Sequence, residues 1–211
     1  MTWQQVVLLL LTALFALSFR VKNLVQRKRT GIDPYRFKKS SSPRQRFLER
    51  YGRVVSLLWF GLVVGFALAP AHMPAWGFPL FLDNMPLRYA GFVAAAGFLI
   101  GLIAAQWQMR DSWRMGLDEE NRTQLVTSGL FRYVRNPVFA MILGYLGAMV
   151  LVLPCAATLL LWGMSFTGLY LQVLEEEPFL LRQHGEPYQQ YLARTGRFWP
   201  RLGSQCDPHL G

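Results

Sequence analysis

The longest uncharged stretch of the chain constrains its fold more than any other feature. Residues 136–174 contain no Asp, Glu, Lys or Arg over 39 positions. A helix rises ~1.5 Å per residue and needs roughly 20 residues to cross a bilayer, so this run is nearly twice too long for one span. Pro154 lies near its middle. The run is therefore predicted to form a hairpin of two helices, with a tight turn at Leu153, Pro154 and Cys155.

Three further apolar runs precede the hairpin, at residues 1–19, from 54 past 69, and at 89–109. Together with the hairpin they predict about five transmembrane helices. Charged residues make up 16% of the chain, well below the ~25% of soluble domains, and no segment has the pattern of a strand. The predicted fold class is an all-α integral membrane protein with a cytoplasmic pocket formed by its C-terminal half.

The net charge of +10 is concentrated in one segment. Residues 20–53 hold 12 Lys and Arg against two acidic residues, and the rest of the chain is balanced. A short basic segment between apolar runs is predicted to be cytoplasmic by the positive-inside rule. Five spans then place the N-terminus outside and the C-terminus in the cytoplasm, with a bacterial inner membrane as the expected location. The expected partners of the basic segment are anionic membrane lipids rather than nucleic acid.

These features divide the chain into three zones. Residues 1–53 form an anchor helix and a basic cytoplasmic loop, 54–109 form the second and third spans, and 110–211 hold most of the polar chemistry. The first run has no basic stretch before it, which favours a permanent span over a cleaved signal peptide. Cys155 and Cys206 are predicted on opposite sides of the bilayer, so no disulfide joins them. No metal-ligand spacing occurs, and the three histidines are expected at the surface or the interface.

Two short motifs in the third zone are candidate binding sites, and each also has a purely structural interpretation. Glu175, Glu176 and Glu177 directly follow the last apolar run, where ionisable groups are costly and often functional, although they could be a charge cluster at a helix end. Asn136 and Pro137 suit the start of a capped helix. The free N–H groups of such a start also suit a carboxylate ligand.

The order and spacing of four motifs resemble the isoprenylcysteine carboxyl methyltransferase family and the related phospholipid methyltransferases. The motifs are LVTSG at 125–129, RNPVF at 135–139, EEPFL at 176–180 and GEPYQQY at 185–191. The resemblance covers about residues 110–201 and implies a helical core that binds S-adenosylmethionine at the cytoplasmic face, under a C-terminal segment. The implied acceptor is a lipophilic small molecule or a lipid.

The resemblance also implies which residues form the site. The cofactor contacts would be Thr123, Gln124, Leu125, Val126, Phe131, Asn136, Pro137, Val138, Phe139 and Glu176. The residues implied to face the substrate are Gln172, Arg135 and Tyr188. The chemistry agrees with this assignment, because an apolar slot suits adenine and the Glu176 carboxylate suits the positive charges of the cofactor. No general base and no catalytic residue is identified.

The chain departs from the family pattern at several positions. Thr123 and Asn136 stand where the family has His, Phe131 and Phe139 where it has Tyr, and Gln172 where it has an Arg that contacts the substrate. Because Gln cannot replace the charge or the fork of Arg, the last change argues against a prenylcysteine acceptor. Two alternatives to a methyltransferase remain: an NADPH-dependent membrane reductase of related architecture, and a membrane scaffold without catalytic activity.

The charge distribution generates a testable topology. In a variant that lacks Cys155, we expect Cys206 to react in intact cells only with thiol reagents that cross the membrane, because the tail is predicted to be cytoplasmic. Labelling of Cys206 by an impermeant reagent added outside would reverse the predicted orientation.

Overall fold

The computed structural model describes residues 1–37, 42–69 and 84–201. Over these ranges the chain forms six α-helices: α1 (Trp3–Thr30), α2 (Pro43–Leu68), α3 (Met85–Gln108), α4 (Pro137–Val152), α5 (Ala156–His184) and α6 (Glu186–Arg194). Short 3-10 helices occur at Arg110–Ser112 and Gly129–Arg132. In the described part of the chain β-structure is limited to two isolated parallel bridges, Tyr35–Met115 and Val134–Gly196. The predicted all-α class is confirmed.

Four of these helices, α1, α2, α3 and α5, are long and apolar enough to cross a membrane. The fifth predicted span is α4, an apolar helix of 16 residues. At ~1.5 Å per residue α4 is about 24 Å long, shorter than the ~30 Å hydrocarbon core of a bilayer. Pro137 occupies its first turn and Pro154 lies just beyond its end, the two positions at which proline typically flanks a helix.

The predicted hairpin is present, with its turn at residues 153–155 between α4 and α5. The buried hydroxyl of Thr158 donates to the carbonyl oxygen of Leu153 at 2.6 Å. On the facing surfaces of the two helices, the indole Nε1 of Trp162 donates to the carbonyl oxygen of Leu143 at 3.0 Å. These bonds satisfy polar groups that lipid could not, and they hold the two helices together.

Two helices continue well beyond their apolar runs. The first run ends at Phe19, but α1 extends to Thr30 and stops at Gly31, whose φ of 70° is left-handed. Much of the predicted basic loop is therefore helical. Similarly, α5 runs through the three glutamates to His184, so these acids lie inside a helix and not at its end. Acidic residues at a helix C-terminus would oppose the helix dipole, but these three lie before the last turn of α5.

The helices pack most extensively in two pairs, α3 with α4 and α2 with α5. Gly91 of α3 lies so close to α4 that a Cβ there would be 3.0 Å from both the carbonyl oxygen of Ala148 and the Cβ of Leu151. In the second pair, Tyr51 donates to the carbonyl oxygen of Met164 at 2.9 Å and Trp59 donates to Ser165 at 3.1 Å. Small residues and interhelical hydrogen bonds are typical of packing in membranes.

Large apolar side chains cover the outside of the bundle. They include Leu10, Leu14, Leu57, Val93, Ile100 and Leu160, which are between 49% and 74% exposed. A soluble monomer rarely exposes so much contiguous apolar surface. The exposed residues therefore form the lipid-facing surface of an integral membrane protein.

Several sequence predictions concern parts of the chain outside the described residues. These are the outer connection at 70–83, the Ser-rich stretch at 38–41, and the tail from residue 202, with His72, Cys206 and His209 among them. The orientation of the termini remains a prediction.

The contact of α3 with α4 predicts unequal effects at two glycines of α3. Gly91→Leu forces a side chain against the backbone of α4 and should lower the free energy of unfolding by about 1–3 kcal/mol. Gly97→Leu is the matched control, because a Cβ at Gly97 meets nothing within 4 Å. Thermal unfolding in detergent measures both variants. Equal losses at the two positions would contradict the close packing.

Candidate functional site

A cavity of about 690 Å³ lies at the end of the bundle where α3 ends and α4 begins. Its size is in the range of small-molecule sites, ~300–1,000 Å³. All thirteen residues predicted from the sequence to bind cofactor or substrate line this cavity: Thr123, Gln124, Leu125, Val126, Phe131, Arg135, Asn136, Pro137, Val138, Phe139, Gln172, Glu176 and Tyr188. The structure thus brings together residues from three separate segments of the chain.

The cavity has a polar end and an apolar end. The polar end is formed by the segment 109–126, the start of α4, the C-terminal part of α5, and α6. The apolar end lies among α1, α2, α4 and α5, where aromatic and aliphatic side chains such as Phe15, Trp59, Val63 and Met149 form the wall. A ligand that fills the whole cavity therefore needs one polar part and one lipophilic part.

The carboxylate of Glu176 lies at the polar end, and its hydrogen-bond partner in the described structure is a side-chain amide. Its Oε1 accepts a hydrogen bond from Nε2 of Gln172 at 2.8 Å, and Nε2 of Gln172 also lies 3.5 Å from Oε1 of Gln45 on α2. Gln172 and Gln45 are buried. No Lys or Arg in the described part of the chain forms an ion pair with Glu176. A cationic ligand in the cavity would supply the missing charge.

The first turn of α4 presents uncapped backbone groups to the same cavity. Asn136 occupies the N-cap position but makes no side-chain cap hydrogen bond. Its Nδ2 donates instead to the carbonyl oxygen of Arg197 at 3.2 Å. The N–H groups of Val138 and Phe139 are thus not satisfied by the cap residue, and both residues line the cavity. Such a helix start attracts a carboxylate.

Glu177 joins three parts of the structure. Its carboxylate accepts from Nη2 of Arg135 at 3.0 Å and from Nε and Nη2 of Arg197 at 2.9 and 2.6 Å. Arg135 also donates to the carbonyl oxygens of Leu192 and Thr195. The guanidinium of Arg135, predicted to face the substrate, is therefore committed to holding the C-terminal segment. Arg132 is exposed and lies outside the cavity lining.

The C-terminal segment folds against the chain that leads into α4. The backbone N–H groups of Arg135 and Asn136 donate to the carbonyl oxygens of Gly196 and Arg197 at 2.8 and 3.2 Å. On α6, the hydroxyl of Tyr191 donates to the carbonyl oxygen of Phe131 at 2.6 Å. These contacts close one side of the polar end with residues 186–197.

Tyr188 shares the buried face of α6 with Tyr191, as their spacing predicts, and the ring centroids are 6.1 Å apart. Burial, together with the negative charge of nearby Glu177, raises the pKa of Tyr188 well above its usual value. The hydroxyl is therefore protonated at neutral pH and can donate a hydrogen bond into the cavity. It is a poor candidate for a general base under those conditions.

Polar residues of α1 hold the segment that forms the other wall of the polar end. Lys22 donates to the carbonyl oxygen of Arg110 at 3.0 Å, Gln26 donates to that of Asp111 at 2.9 Å, and the indole of Trp113 donates to Asn23 at 2.7 Å. Lys22 and Gln26 are almost fully buried. The helical extension of α1 beyond its apolar run thus positions residues 110–113.

A buried ion-pair network fixes the same segment from the loop after α1. Nε of Arg36 lies 3.1 Å from Oδ2 of Asp118, and Nε of Arg114 lies 2.8 Å from the same oxygen. The side chains of Arg36 and Asp118 are only 4% and 2% exposed. Burial opposes ionisation of Asp118, but hydrogen bonds from Arg114 and Asn121 and the charge of Arg36 hold its pKa below the usual value. Asp118 is therefore ionised at neutral pH and remains paired.

The turn that ends the LVTSG motif, at residues 127–129, requires a glycine. Gly129 has a φ of 64°, and a Cβ there would lie 2.5 Å from Oε1 of Gln108. That oxygen accepts the backbone N–H of Leu130 at 2.8 Å. The turn is thereby fastened to the end of α3.

Sequence reasoning missed the contribution of the N-terminal half to the cavity. Tyr35, Glu49, Arg53 and the apolar residues of α1 and α2 all line it. His184, expected at the surface or interface, also lines the cavity and is partly buried. One signal was available on α2, where Glu49, Gly52, Arg53 and Ser56 recur at helical spacing and place polar groups on one face.

A family model matches part of the chain. Residues 87–187 match the family model of phospholipid methyltransferase, a family of integral membrane methyltransferases. The match begins with α3, earlier than the motifs alone indicated, and confirms the resemblance to that family over these residues. Among curated proteins, none matches the chain.

The contacts of Glu177 predict that it anchors the C-terminal segment. Glu177→Gln removes the charge that two arginines share and should lower the free energy of unfolding by about 2 kcal/mol. Hydrogen exchange should accelerate at the backbone amides of Arg135 and Asn136, because their acceptors lie on that segment. Glu186→Gln is the control, since its exposed carboxylate bonds only Gln190 among its described contacts. Unchanged exchange in Glu177→Gln would contradict the anchoring role.

Proposed function

We propose that this protein, whose residues 87–187 match the phospholipid methyltransferase family, transfers a methyl group from S-adenosylmethionine to a lipophilic acceptor at the cytoplasmic face of the membrane. The observation that carries the proposal is one cavity that joins a polar end to an apolar end among the helices long and apolar enough to cross a membrane. A soluble cofactor fits the first end and a lipid chain fits the second.

The residues of the polar end suit S-adenosylmethionine. Glu176 offers a carboxylate without a cationic partner in the described structure to the positive charges of the cofactor. The start of α4 offers backbone N–H groups to its carboxylate, and Leu125, Val126 and Phe139 offer an apolar surface to adenine. When bound, S-adenosylmethionine supplies a methyl group already activated by a sulfonium. The protein then has to position the acceptor and exclude water.

The apolar end is accessible from the side of the bundle. Ala16 of α1 and Ser56 and Phe60 of α2 line the cavity and are also exposed on the outer surface. From residues that satisfy both conditions we infer an opening between α1 and α2. An acceptor with a hydrocarbon chain can therefore reach the cavity from the bilayer without crossing water.

The charges at the polar end favour a neutral or cationic acceptor group over a carboxylate. Arg114 and Arg135 line this end, but each is paired with a buried or partly buried carboxylate, Asp118 and Glu177. Glu176 would repel an acceptor carboxylate. The sequence leaves three acceptors open: a lipid headgroup, an isoprenoid acid and a small hydrophobic thiol. Of these, a lipid headgroup fits the charges better than an isoprenoid acid.

Features of the polar end argue against the two alternatives, a membrane reductase and a scaffold without catalytic activity. An NADPH-dependent reductase needs several cations for the phosphates of its cofactor. Arg114 and Arg135 are each paired with a buried or partly buried carboxylate, which leaves Arg53 as the one exposed arginine of the described cavity lining. A scaffold without catalytic activity has no need for an uncapped helix start and a carboxylate beside one cavity. Both features are costly unless a ligand compensates for them.

The proposal predicts different roles for two neighbouring glutamates. Glu176→Gln keeps the shape of the side chain and removes its charge, so affinity for S-adenosylmethionine should fall on the order of tenfold to a hundredfold. Glu175→Gln should change it little, because Glu175 lies outside the cavity lining and pairs with the exposed Arg44. Isothermal titration calorimetry of the purified protein in detergent measures both affinities.

Three outcomes would count against this assignment. Equal effects at the two glutamates would mean that the cluster acts through its overall negative charge and not through one contact. A larger effect at Glu175 would mean that the wrong carboxylate is assigned to the cofactor. Binding of NADPH by the unmodified protein, with no binding of S-adenosylmethionine or its demethylated product, would reject the methyltransferase in favour of the reductase.

A further inference from the structure

Three polar residues from the N-terminal half form a connected group in the cavity wall. The hydroxyl of Tyr35 donates to Oε1 of Glu49 at 2.7 Å, and Nη2 of Arg53 forms an ion pair with the same oxygen. All three residues line the cavity. They lie outside residues 87–187, so the family match does not account for them.

Arg53 is placed where a lipid headgroup would lie. It is the last charged residue of α2 before the apolar run that starts at Val54. On the same face, Ser56 and Phe60 follow at helical spacing and border the opening between α1 and α2. Gly52 adds no side chain, and a Cβ there would meet nothing within 4 Å. The guanidinium therefore stands at the interfacial end of the lateral opening.

The arginine is oriented and still accessible. Its side chain is 57% exposed, and the described ion pair with Glu49 uses one of its nitrogens. A guanidinium carries five N–H donors in a planar fork that matches two oxygens of a phosphate. Because Glu49 is itself held by Tyr35, its ion pair restricts the orientation of the guanidinium. This arrangement lowers the entropy that binding would cost.

We propose that Arg53, oriented by Glu49 and Tyr35, binds the phosphodiester of the lipid acceptor and selects acceptors that carry one. The inference rests on the proposed function and adds a specificity-determining residue to it. With the phosphodiester at Arg53, the acyl chains lie along Ser56, Phe60 and Val63. The rest of the headgroup extends towards Gln172 and Glu176 at the polar end.

A simpler role for Arg53 would be that of an arginine that extends its charge to the membrane surface. Arg50 provides the matched comparison. It lies one turn earlier on α2 and is exposed, but it does not line the cavity. A general effect of surface charge would act at both positions, whereas phosphodiester recognition acts at Arg53 alone.

The test measures lipid binding by the full-length protein in a maltoside detergent, which carries no phosphate. Calorimetric titrations use dihexanoylphosphatidylethanolamine and dihexanoylglycerol, which share acyl chains and differ in the phosphodiester headgroup. We expect the unmodified protein to prefer the phospholipid. Arg53→Gln should weaken phospholipid binding about tenfold and leave dihexanoylglycerol binding unchanged, while Arg50→Gln should change neither. Arg53→Lys keeps the charge without the fork and should give an intermediate affinity.

The outcomes separate this inference from the proposed function. Equal effects of Arg53→Gln and Arg50→Gln, or no preference of the unmodified protein for the phospholipid, would overturn the role of Arg53. Thermal unfolding checks the fold of each variant, and Arg53→Lys decides the question if Arg53→Gln does not fold. Binding of S-adenosylmethionine is measured in the same samples. Its absence beside phospholipid binding that depends on Arg53 would reject methyl transfer and leave the lipid site in place.

Discussion

The carboxylate of Glu177 accepts hydrogen bonds from Arg135, at the start of α4, and from Arg197, in the C-terminal segment. Glu177 itself lies on α5, so one side chain ties the two helices of the hairpin to the segment that closes the cavity. Glu176, its neighbour in sequence, is left to face the cavity. Because adjacent positions on a helix are rotated by about 100°, one carboxylate can serve the architecture while the next remains available to a ligand.

Local patterns predicted the parts of the fold that depend on local forces. The apolar runs indicated the spans, Pro154 indicated the turn of the hairpin, and four motifs indicated residues that share one cavity. The sequence did not predict that α1 continues to Thr30 or that Arg36 is buried against Asp118. A basic residue that is buried by a partner more than eighty positions away has no local signature, because its partner exists only after the helices have packed.

The two ends of the cavity have different origins in the chain. The polar end comes mainly from residues 109–139 and from the C-terminal part of α5, most of which falls within the matched family region. The apolar end also needs α1 and α2, which lie outside it. Chemistry common to the family and choice of acceptor can thus reside in different segments. Changes in α1 and α2 could then alter the acceptor without disturbing the contacts of Glu176 and α4.

Helix α1 lines the cavity and also holds the segment after α3, and this links the two ends of the cavity. Ala16 and Phe19 line the cavity beside its lateral opening, and Lys22 and Gln26, within the next two turns, hold the segment after α3. A helix transmits displacement along its length, so a tilt of α1 that widens the opening also strains these hydrogen bonds. If a bulky lipid enters there, as we propose, its passage competes with the retention of an ordered polar end. A ligand that stabilises the polar end would make the opening harder to widen. Ligands at the two ends would then affect each other's binding through α1.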